Sequence, residues 1–231
     1  MLEIKKIKKC LIELEKLAQQ GKYHIGLKTT KKYLRQYPTI EELLLKYAFF
    51  LYHHAADLKY SRNTGKIQTS QVITNFNQAI RICRKLIKRE KFLSQRICLN
   101  ARLYLAQMYA MLGKSKEAKK FANATYKYLP STLTAERAAD VYRRLNDPDG
   151  AMRWYQRAVK NAKKADERAM AHAGLATLYK HLGEVKKAIK EARMAIYFVK
   201  QTKQSKFLNQ KLFIKILHSH IPELKKPHPL S

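Results

Sequence analysis

The sequence predicts an all-α fold, an α-solenoid of stacked helical hairpins, because one residue pattern occurs three times between residues 100 and 201. In each copy a leucine–alanine or alanine–alanine pair precedes a tyrosine. A turn residue follows four residues after that tyrosine, and an alanine follows nine residues after it. The tyrosines are Tyr109, Tyr142 and Tyr179, which lie 33 and 37 residues apart. A period near 34 residues is typical of units made of two helices joined by a turn.

The copy around Tyr109 shows why the pattern favours a hairpin. Small side chains at Ala106 and Ala118 let two helices approach closely, and Gly113 permits the tight turn between them. Pro130 ends the second helix, because proline cannot continue the backbone hydrogen bonding.

Cap residues mark where the following helices start. Ser131 or Thr132 can cap the helix that comes after the proline. Asp147 followed by Pro148 is a cap with proline at the first helical position. These signals place two more helices in register with the repeat.

The repeated residues resemble the tetratricopeptide repeat (TPR) family. The resemblance implies a right-handed α-solenoid of about five hairpins with a C-terminal capping helix, in one domain that covers residues 1–219. The expected repeats are 5–38, 39–92, 94–130, 131–165 and 166–201, with the capping helix at 205–219 and a flexible tail at 220–231.

The first two repeats depart from the family pattern. Gly26 stands where the family has alanine. Residues 39–42 are a capping-box sequence that opens the second hairpin. Its first helix is predicted to run on to about Lys59, and the polar stretch Ser61–Ser70 follows. The helix after that stretch is predicted from the apolar spacing of Ala79, Cys83 and Leu86.

The resemblance also implies which residues bind a partner. In the family the first helix of each hairpin lines a concave groove, and the second lies mainly on the convex side. Carried over by position, the groove would hold a mixture of apolar, basic and acidic side chains. The groove residues are Lys46, Phe49, Asn100, Tyr104, Gln107, Arg137, Asp140, Arg144, Thr177 and His181.

The charge of the chain is strongly positive, since 48 Lys and Arg residues oppose 17 Asp and Glu residues for a net charge of +31. Residues 61–130 hold 15 basic and only 2 acidic side chains. Repulsion on this scale destabilises a compact monomer and indicates an anionic partner, either a nucleic acid, an acidic protein or an anionic lipid surface. The alternative is a lysine-rich coding bias that gives a solvated surface.

The basic residues of the second hairpin recur at three- and four-residue steps, which places them on one helix face. We expect a basic patch at Arg81, Arg84, Lys85, Lys88, Arg89, Lys91, Arg96 and Arg102.

No catalytic, cofactor or metal-binding pattern is recognised in the sequence. The Gly65-Lys66 pair has no Ser or Thr after the lysine, so it is not a phosphate-binding loop. Three scattered cysteines form neither a disulfide framework nor a zinc site. From the lack of these patterns we expect a non-enzymatic protein without cofactor or metal. The sequence also has no apolar run of membrane-spanning length and no signal-peptide core, so we expect it to be cytoplasmic.

Two functions fit these observations. The first is a non-catalytic adaptor, scaffold or assembly chaperone, with a peptide or helix of a protein partner in the groove and an acidic partner on the basic surface. The alternative is binding of RNA or single-stranded nucleic acid through the basic convex face. Association with a second copy is also open, because terminal repeats of solenoids often expose apolar faces.

Overall fold

The computed structural model describes residues 2–60, 66–202 and 210–225. The chain divides into two compact units, Met1–Phe121 (unit 1) and Ala122–Ser231 (unit 2). Secondary structure in the described ranges is helical, as predicted. The helices are α1 (Leu2–Gln19), α2 (Tyr23–Gln36), α3 (Glu41–Tyr60), α4 (Lys66–Lys88), α5 (Gln95–Met111), α6 (Ser115–Tyr128), α7 (Thr132–Arg144), α8 (Pro148–Asn161), α9 (Ala165–His181), α10 (Val185–Gln201) and α11 (Gln210–His220), with short 3₁₀ turns at Glu90–Phe92 and Pro222–Lys225.

The turns after α1, α5, α7 and α9, each of which joins two helices in a hairpin, use left-handed backbone conformations. Gly21, Gly113 and Gly183 have φ values of +67°, +71° and +75°, and Asn146 has +57°. L-residues with a Cβ rarely adopt this region, so glycine and asparagine are the residues expected there. The turn residues read from the sequence at 113, 146 and 183 are therefore confirmed.

Unit 1 is held together by an apolar core between α1, α2 and α3. Leu14, Leu43 and Phe50 are fully buried at its centre. Gly26 of α2 lies directly under the ring of Phe50, and a Cβ added at Gly26 would lie only 2.1 Å from the Cε1 atom of that ring. The glycine that departs from the family pattern is therefore explained by a phenylalanine that fills the missing volume.

The second hairpin of unit 1 differs in one respect from the sequence interpretation. Helix α3 runs to Tyr60, close to the predicted end at Lys59. Helix α4 already begins at Lys66, so residues 66–70 are the first turn of a helix and not a loop. Its polar composition was misleading because Ser and Thr are tolerated in exposed helical turns, as at exposed Thr69. Residues 61–65, which include Gly65, lie outside the described residues.

Unit 2 repeats the same construction with different caps. The Ser131 side chain accepts a hydrogen bond from the Thr134 N–H, and the Asp147 side chain accepts one from the Gly150 N–H at 2.9 Å. Pro148 is the first residue of α8. The predicted caps of both helices are thus confirmed. The core between α7, α8 and α9 contains the buried residues Ala139, Ala151, Tyr155, Leu175 and Leu178.

The end of unit 2 corrects the expectation of a flexible tail from residue 220. Ile221 is fully buried against Ala176, Ala188 and Ala192, and Leu224 packs beside it. Burial of these two side chains offsets the entropy that is lost when the segment is ordered. Residues 205–209 of the predicted capping helix and 226–231 of the tail lie outside the described residues.

Replacing Gly26 by alanine should destabilise the protein by about 1–3 kcal/mol, the usual cost of over-packing a core. This is expected although alanine favours a helix interior over glycine by about 1 kcal/mol. The quantity to measure is the free energy of unfolding by urea, followed by circular dichroism. Lys28→Ala, at an exposed position of the same helix, is the control and should change it by less than about 0.5 kcal/mol. A Gly26→Ala variant that is more stable than wild type would contradict this prediction, because it would show that the Phe50 ring moves aside at little energetic cost.

Candidate functional site

Unit 1 brings four of the predicted groove residues together. Lys46 and Phe49 of α3 and Asn100 and Tyr104 of α5 line one cavity of about 140 Å³. Glu15 of α1, Glu42, Arg96, Leu11 and Leu45 complete its walls. We call this surface the unit-1 groove. Gln107 lies on α5 three residues beyond Tyr104 and is half-buried.

Aromatic rings form a connected row along the unit-1 groove. The ring centroids of Phe49 and Tyr104 are 6.0 Å apart, and Tyr104 stacks on Tyr52 at 6.2 Å. The ring centroid of His53 lies 4.3 Å from that of Phe49 and 4.7 Å from that of Tyr23 of α2. Tyr104 and Phe49 remain half-buried, so part of each ring is accessible in a rigid setting.

Ion pairs fix the charged residues at the edge of this groove. Lys46 pairs with Glu15, and its Nζ atom lies 5.6 Å from the centroid of the Phe49 ring. Arg96 pairs with Glu42 across 54 residues of sequence. Sequence spacing had assigned Arg96 to the convex basic patch, whereas the structure places it in the groove. A carboxylate on the neighbouring helix α3, which no local pattern shows, determines where that long side chain lies.

Unit 2 contains a second cavity of about 230 Å³ that includes predicted groove residues of α7 and α9. Arg137, Asp140 and Thr177 line it, and we call it the unit-2 groove. Asp140 accepts a hydrogen bond of 2.8 Å from the Tyr155 hydroxyl, and guanidinium nitrogens of Arg143 and Arg137 lie 3.6 and 3.8 Å from its carboxylate oxygens. The acidic side chain is thereby neutralised and held in place.

Helix α11 covers part of the unit-2 groove, which the sequence did not predict. Phe213, Ile216, Leu217 and His220 of α11 line the same cavity as Thr177. The Lys180 ammonium group donates a hydrogen bond to the backbone carbonyl of His220. A capping helix at 205–219 was expected from the sequence, but the sequence pattern of a helix does not tell which surface it covers.

Two predicted groove residues lie apart from these cavities. His181 lines a separate cavity of about 200 Å³ near the turns of both hairpins, together with Arg143, Asn146 and Pro148. Arg144 is exposed at the end of α7.

The predicted basic patch divides into two groups. Arg81, Arg84, Lys85 and Lys88 of α4 line an open cleft of about 530 Å³ whose apolar walls are Ile87, Leu105 and Phe121. We call it the basic cleft. No carboxylate among the described residues forms an ion pair with these four side chains.

The other residues of the patch have different surroundings. Arg89 pairs with Glu41 at 3.1 Å, Arg102 pairs with Glu90, and Arg96 lies in the unit-1 groove. Lys91 is exposed in the turn between α4 and α5. Within the predicted basic patch, the four residues of the basic cleft are thus the ones that line one cleft without a carboxylate partner among the described residues.

Glu136 is the most perturbed acid of the unit-2 groove. Its Oε1 atom is buried without a hydrogen-bond partner in the described part of the chain. Burial raises the pKa of Glu136 to about 8, the guanidinium of Arg137 opposes that shift, and the carboxylates of Asp140 and Glu167 add to it. A carboxyl group in this setting is protonated and neutral at pH 7.

The described residues contain no group of three or more His, Cys, Asp or Glu side chains that could hold a metal ion. None of the helices in the described ranges is long and apolar enough to cross a membrane.

The repeated hairpins, glycine turns and alanine contacts define a TPR-like repeat protein. No protein-family model and no curated protein sequence matches the chain. Solved structures do. A thermophilic TPR protein from Thermus thermophilus is similar over 93% of this chain and 98% of its own, with a TM-score of 0.63 and 16% identity.

Two further solved structures share the fold. A TPR protein from Parabacteroides merdae has a TM-score of 0.59 and 15% identity over 88% of this chain and 68% of its own. The 41-end form of MamA from Desulfovibrio magneticus has a TM-score of 0.51 and 14% identity, over 85% of this chain and 97% of its own. At such identities the similarity concerns the fold alone, and the predicted all-α hairpin fold is confirmed.

The stability of the protein should depend on pH through Glu136. The unfolded chain has the ordinary glutamate pKa of 4.5, whereas the folded chain has a value of about 8. Between these values the folded chain keeps a proton that the unfolded chain has lost, so this group makes unfolding easier as the pH rises. Glu136→Gln removes this dependence, and its stability relative to wild type should rise from pH 4.5 to pH 8.

The measurement is urea unfolding of both proteins at several pH values. Glu3→Gln, at an exposed carboxylate, is the matched control. A stability difference between Glu136→Gln and wild type that stays constant over this range would contradict the assignment.

Proposed function

We propose that the chain is a non-catalytic protein–protein interaction module, an adaptor or assembly chaperone that holds a peptide or helix of a protein partner. The observation that supports this most directly is the row of half-buried rings in the unit-1 groove, with Phe49 and Tyr104 at 6.0 Å. Tyrosine and other aromatic residues dominate the energetics of protein interfaces, because they offer large rigid contact areas.

The polar edge of the unit-1 groove supports the same proposal. Lys46, Glu15, Arg96 and Glu42 form two ion pairs beside the rings. A partner segment would gain affinity from apolar contacts with the rings and would be oriented by these charges and by the amide of Asn100. The groove volume of about 140 Å³ is smaller than that of a typical cofactor pocket, which is about 300–1,000 Å³.

The unit-2 groove supports binding of a helix in particular. The chain's own α11 presents apolar side chains at positions 213, 216 and 217 to the cavity lined by Arg137, Asp140 and Thr177. Spacing of three and four residues is the way in which an amphipathic helix docks in a groove. Unit 2 therefore accommodates one helix in cis.

The second part of the proposal concerns the basic cleft, which would engage an acidic partner. Arg81, Arg84, Lys85 and Lys88 have no carboxylate partner among the described residues. An anionic surface would relieve the repulsion between them and raise the rate of association.

Replacing Tyr104 by alanine should weaken binding of a groove peptide at least tenfold, because the row of rings loses a central member. Suitable peptides are selected from a random display library on the wild-type protein and then titrated by fluorescence anisotropy. Tyr197→Ala, at a tyrosine with 56% exposure on α10, is the matched control and should leave the affinity unchanged. Equal affinity of wild type and Tyr104→Ala for every selected peptide would remove the unit-1 groove from the proposal.

A nucleic acid is the alternative partner of the basic cleft, favoured by four adjacent cations on one face of α4. If RNA binds there, affinity for a labelled 20-nucleotide strand should fall steeply between 50 and 200 mM salt. Each phosphate contact contributes about 0.7 to the logarithmic salt slope for single strands, so Lys85→Glu with Lys88→Glu should reduce the slope by about 1.4 or more.

Arg89 is left unchanged in this test, because its ion pair with Glu41 makes reversal structurally disruptive. RNA affinity that is weak, or whose salt slope is the same in the reversed variant, would rule out this alternative for the basic cleft.

A further inference from the structure

We propose that the basic cleft binds an acidic amphipathic helix of a partner protein, with carboxylates on Arg81, Arg84, Lys85 and Lys88 and an apolar side chain between Ile87 and Phe121. This inference rests on the proposed function as an interaction module and names the class of partner that the basic cleft recognises. Its support comes from the spacing of the cations, the apolar walls and the packing of the nearby rings.

The spacing of the cations matches that of a helix. Residues 81, 84, 85 and 88 follow one another at three-, one- and three-residue steps on one face of α4, and all four side chains are exposed. With a rise of about 1.5 Å per residue they extend over about 10 Å. A partner helix with glutamates at positions i, i+3, i+4 and i+7 presents carboxylates over the same length.

The walls of the cleft favour a hydrocarbon side chain. Leu105 is fully buried beneath the cleft, and Ile87 and Phe121 are half-buried at its sides. The volume of about 530 Å³ is large enough for one or two apolar side chains of a partner. Burial of such a side chain stabilises a complex through the hydrophobic effect, whereas a phosphate group would gain nothing from these walls.

Tyr109, the tyrosine beside the cleft, is not available for stacking on bases. Tyr109 is only 3% exposed, since Phe121 stacks on it at 5.6 Å and the guanidinium of Arg84 lies 5.7 Å from its centroid. Proteins that bind single strands use exposed aromatic faces together with a basic groove. The combination of unpaired cations, a covered tyrosine ring and apolar walls therefore fits an acidic peptide better than a nucleic acid.

The basic cleft and the unit-1 groove are separate surfaces of unit 1. Leu105 and Tyr104 are neighbours on α5, and consecutive residues of a helix point about 100° apart. One lines the cleft and the other lines the groove. Substitutions in one surface can therefore be tested without altering the other.

The experiment uses the full chain and a labelled 20-residue helical peptide with glutamates at i, i+3, i+4 and i+7 around a central leucine. Anisotropy titration at low salt should show saturable binding. Lys85→Glu with Lys88→Glu should weaken it at least tenfold, since neither lysine has a ring or carboxylate partner in the described residues. Lys186→Glu with Lys190→Glu, at exposed lysines of α10, changes the net charge equally and should stay within about twofold of wild type.

Two altered probes test the geometry. A peptide of the same composition with its glutamates dispersed around the helix should bind at least tenfold more weakly, and so should the peptide with its leucine replaced by alanine. Equal binding of the original and dispersed peptides would overturn the inference, because charge alone would then explain the affinity. Tighter binding of a 20-nucleotide RNA, abolished by the Lys85 and Lys88 reversal, would overturn it in favour of a nucleic acid.

A groove peptide whose binding requires Tyr104 is titrated in parallel. If it binds while the acidic helix does not, the inference about the basic cleft fails and the proposed function stands. If no selected peptide depends on Tyr104 and the acidic helix does not bind, both fail. Circular dichroism of the lysine variants shows that loss of binding is not loss of folding.

Discussion

Close approach of neighbouring helices, made possible by residues with little or no side chain, is the constraint on which the other features depend. Ala79, Ala118 and Ala151 are among the alanines with no exposed surface. Where even a methyl group is too large the chain has glycine. A Cβ would lie 2.1 Å from the Phe50 ring at Gly26, 2.1 Å from the Tyr142 ring at Gly150 and 2.3 Å from the Tyr155 ring at Gly174. Each ring fills the gap left by the glycine and sets the distance between two helices.

Because apolar packing of this kind sets the helix positions, the charged side chains are not needed to position the helices and can interact at the surface. Glu15, Glu41, Glu42 and Glu90 of unit 1 pair with Lys46, Arg89, Arg96 and Arg102. Exposed ion pairs each contribute only about 0–1 kcal/mol to stability, so their main effect is to orient and neutralise side chains. These four acids lie on α1, on α3 and in the turn after α4, and none of them pairs with the face of α4 that carries the basic cleft. Coding bias alone does not explain why the few acids pair with one subset of the cations.

Much of the fold was predictable because its determinants are local. Gly113 and Gly183 occupy left-handed turns, and Ser131 and Asp147 cap helices, all as their sequence neighbours indicate. The resemblance to the TPR family, carried over by position, led us to expect Phe49 and Tyr104 in one groove, and both line one cavity. Gly26 was not explained by its neighbours, because its partner Phe50 lies on another helix. Helical spacing identifies the face of a residue, but not the partner that a long side chain such as that of Arg96 will reach.

The two grooves illustrate the same limit at the level of whole elements. In unit 1 the rings of Phe49 and Tyr104 stay partly exposed. In unit 2, by contrast, apolar side chains of α11 line the unit-2 groove. The ordering of α11 follows from residues beyond it, since Ile221 and Leu224 pack on the small side chains of Ala176, Ala188 and Ala192. Burial of these two aliphatic side chains against the alanines holds the end of α11 in place. The same small residues that allow close helix packing inside the array therefore also determine, at its end, that a helix of the chain itself occupies the unit-2 groove.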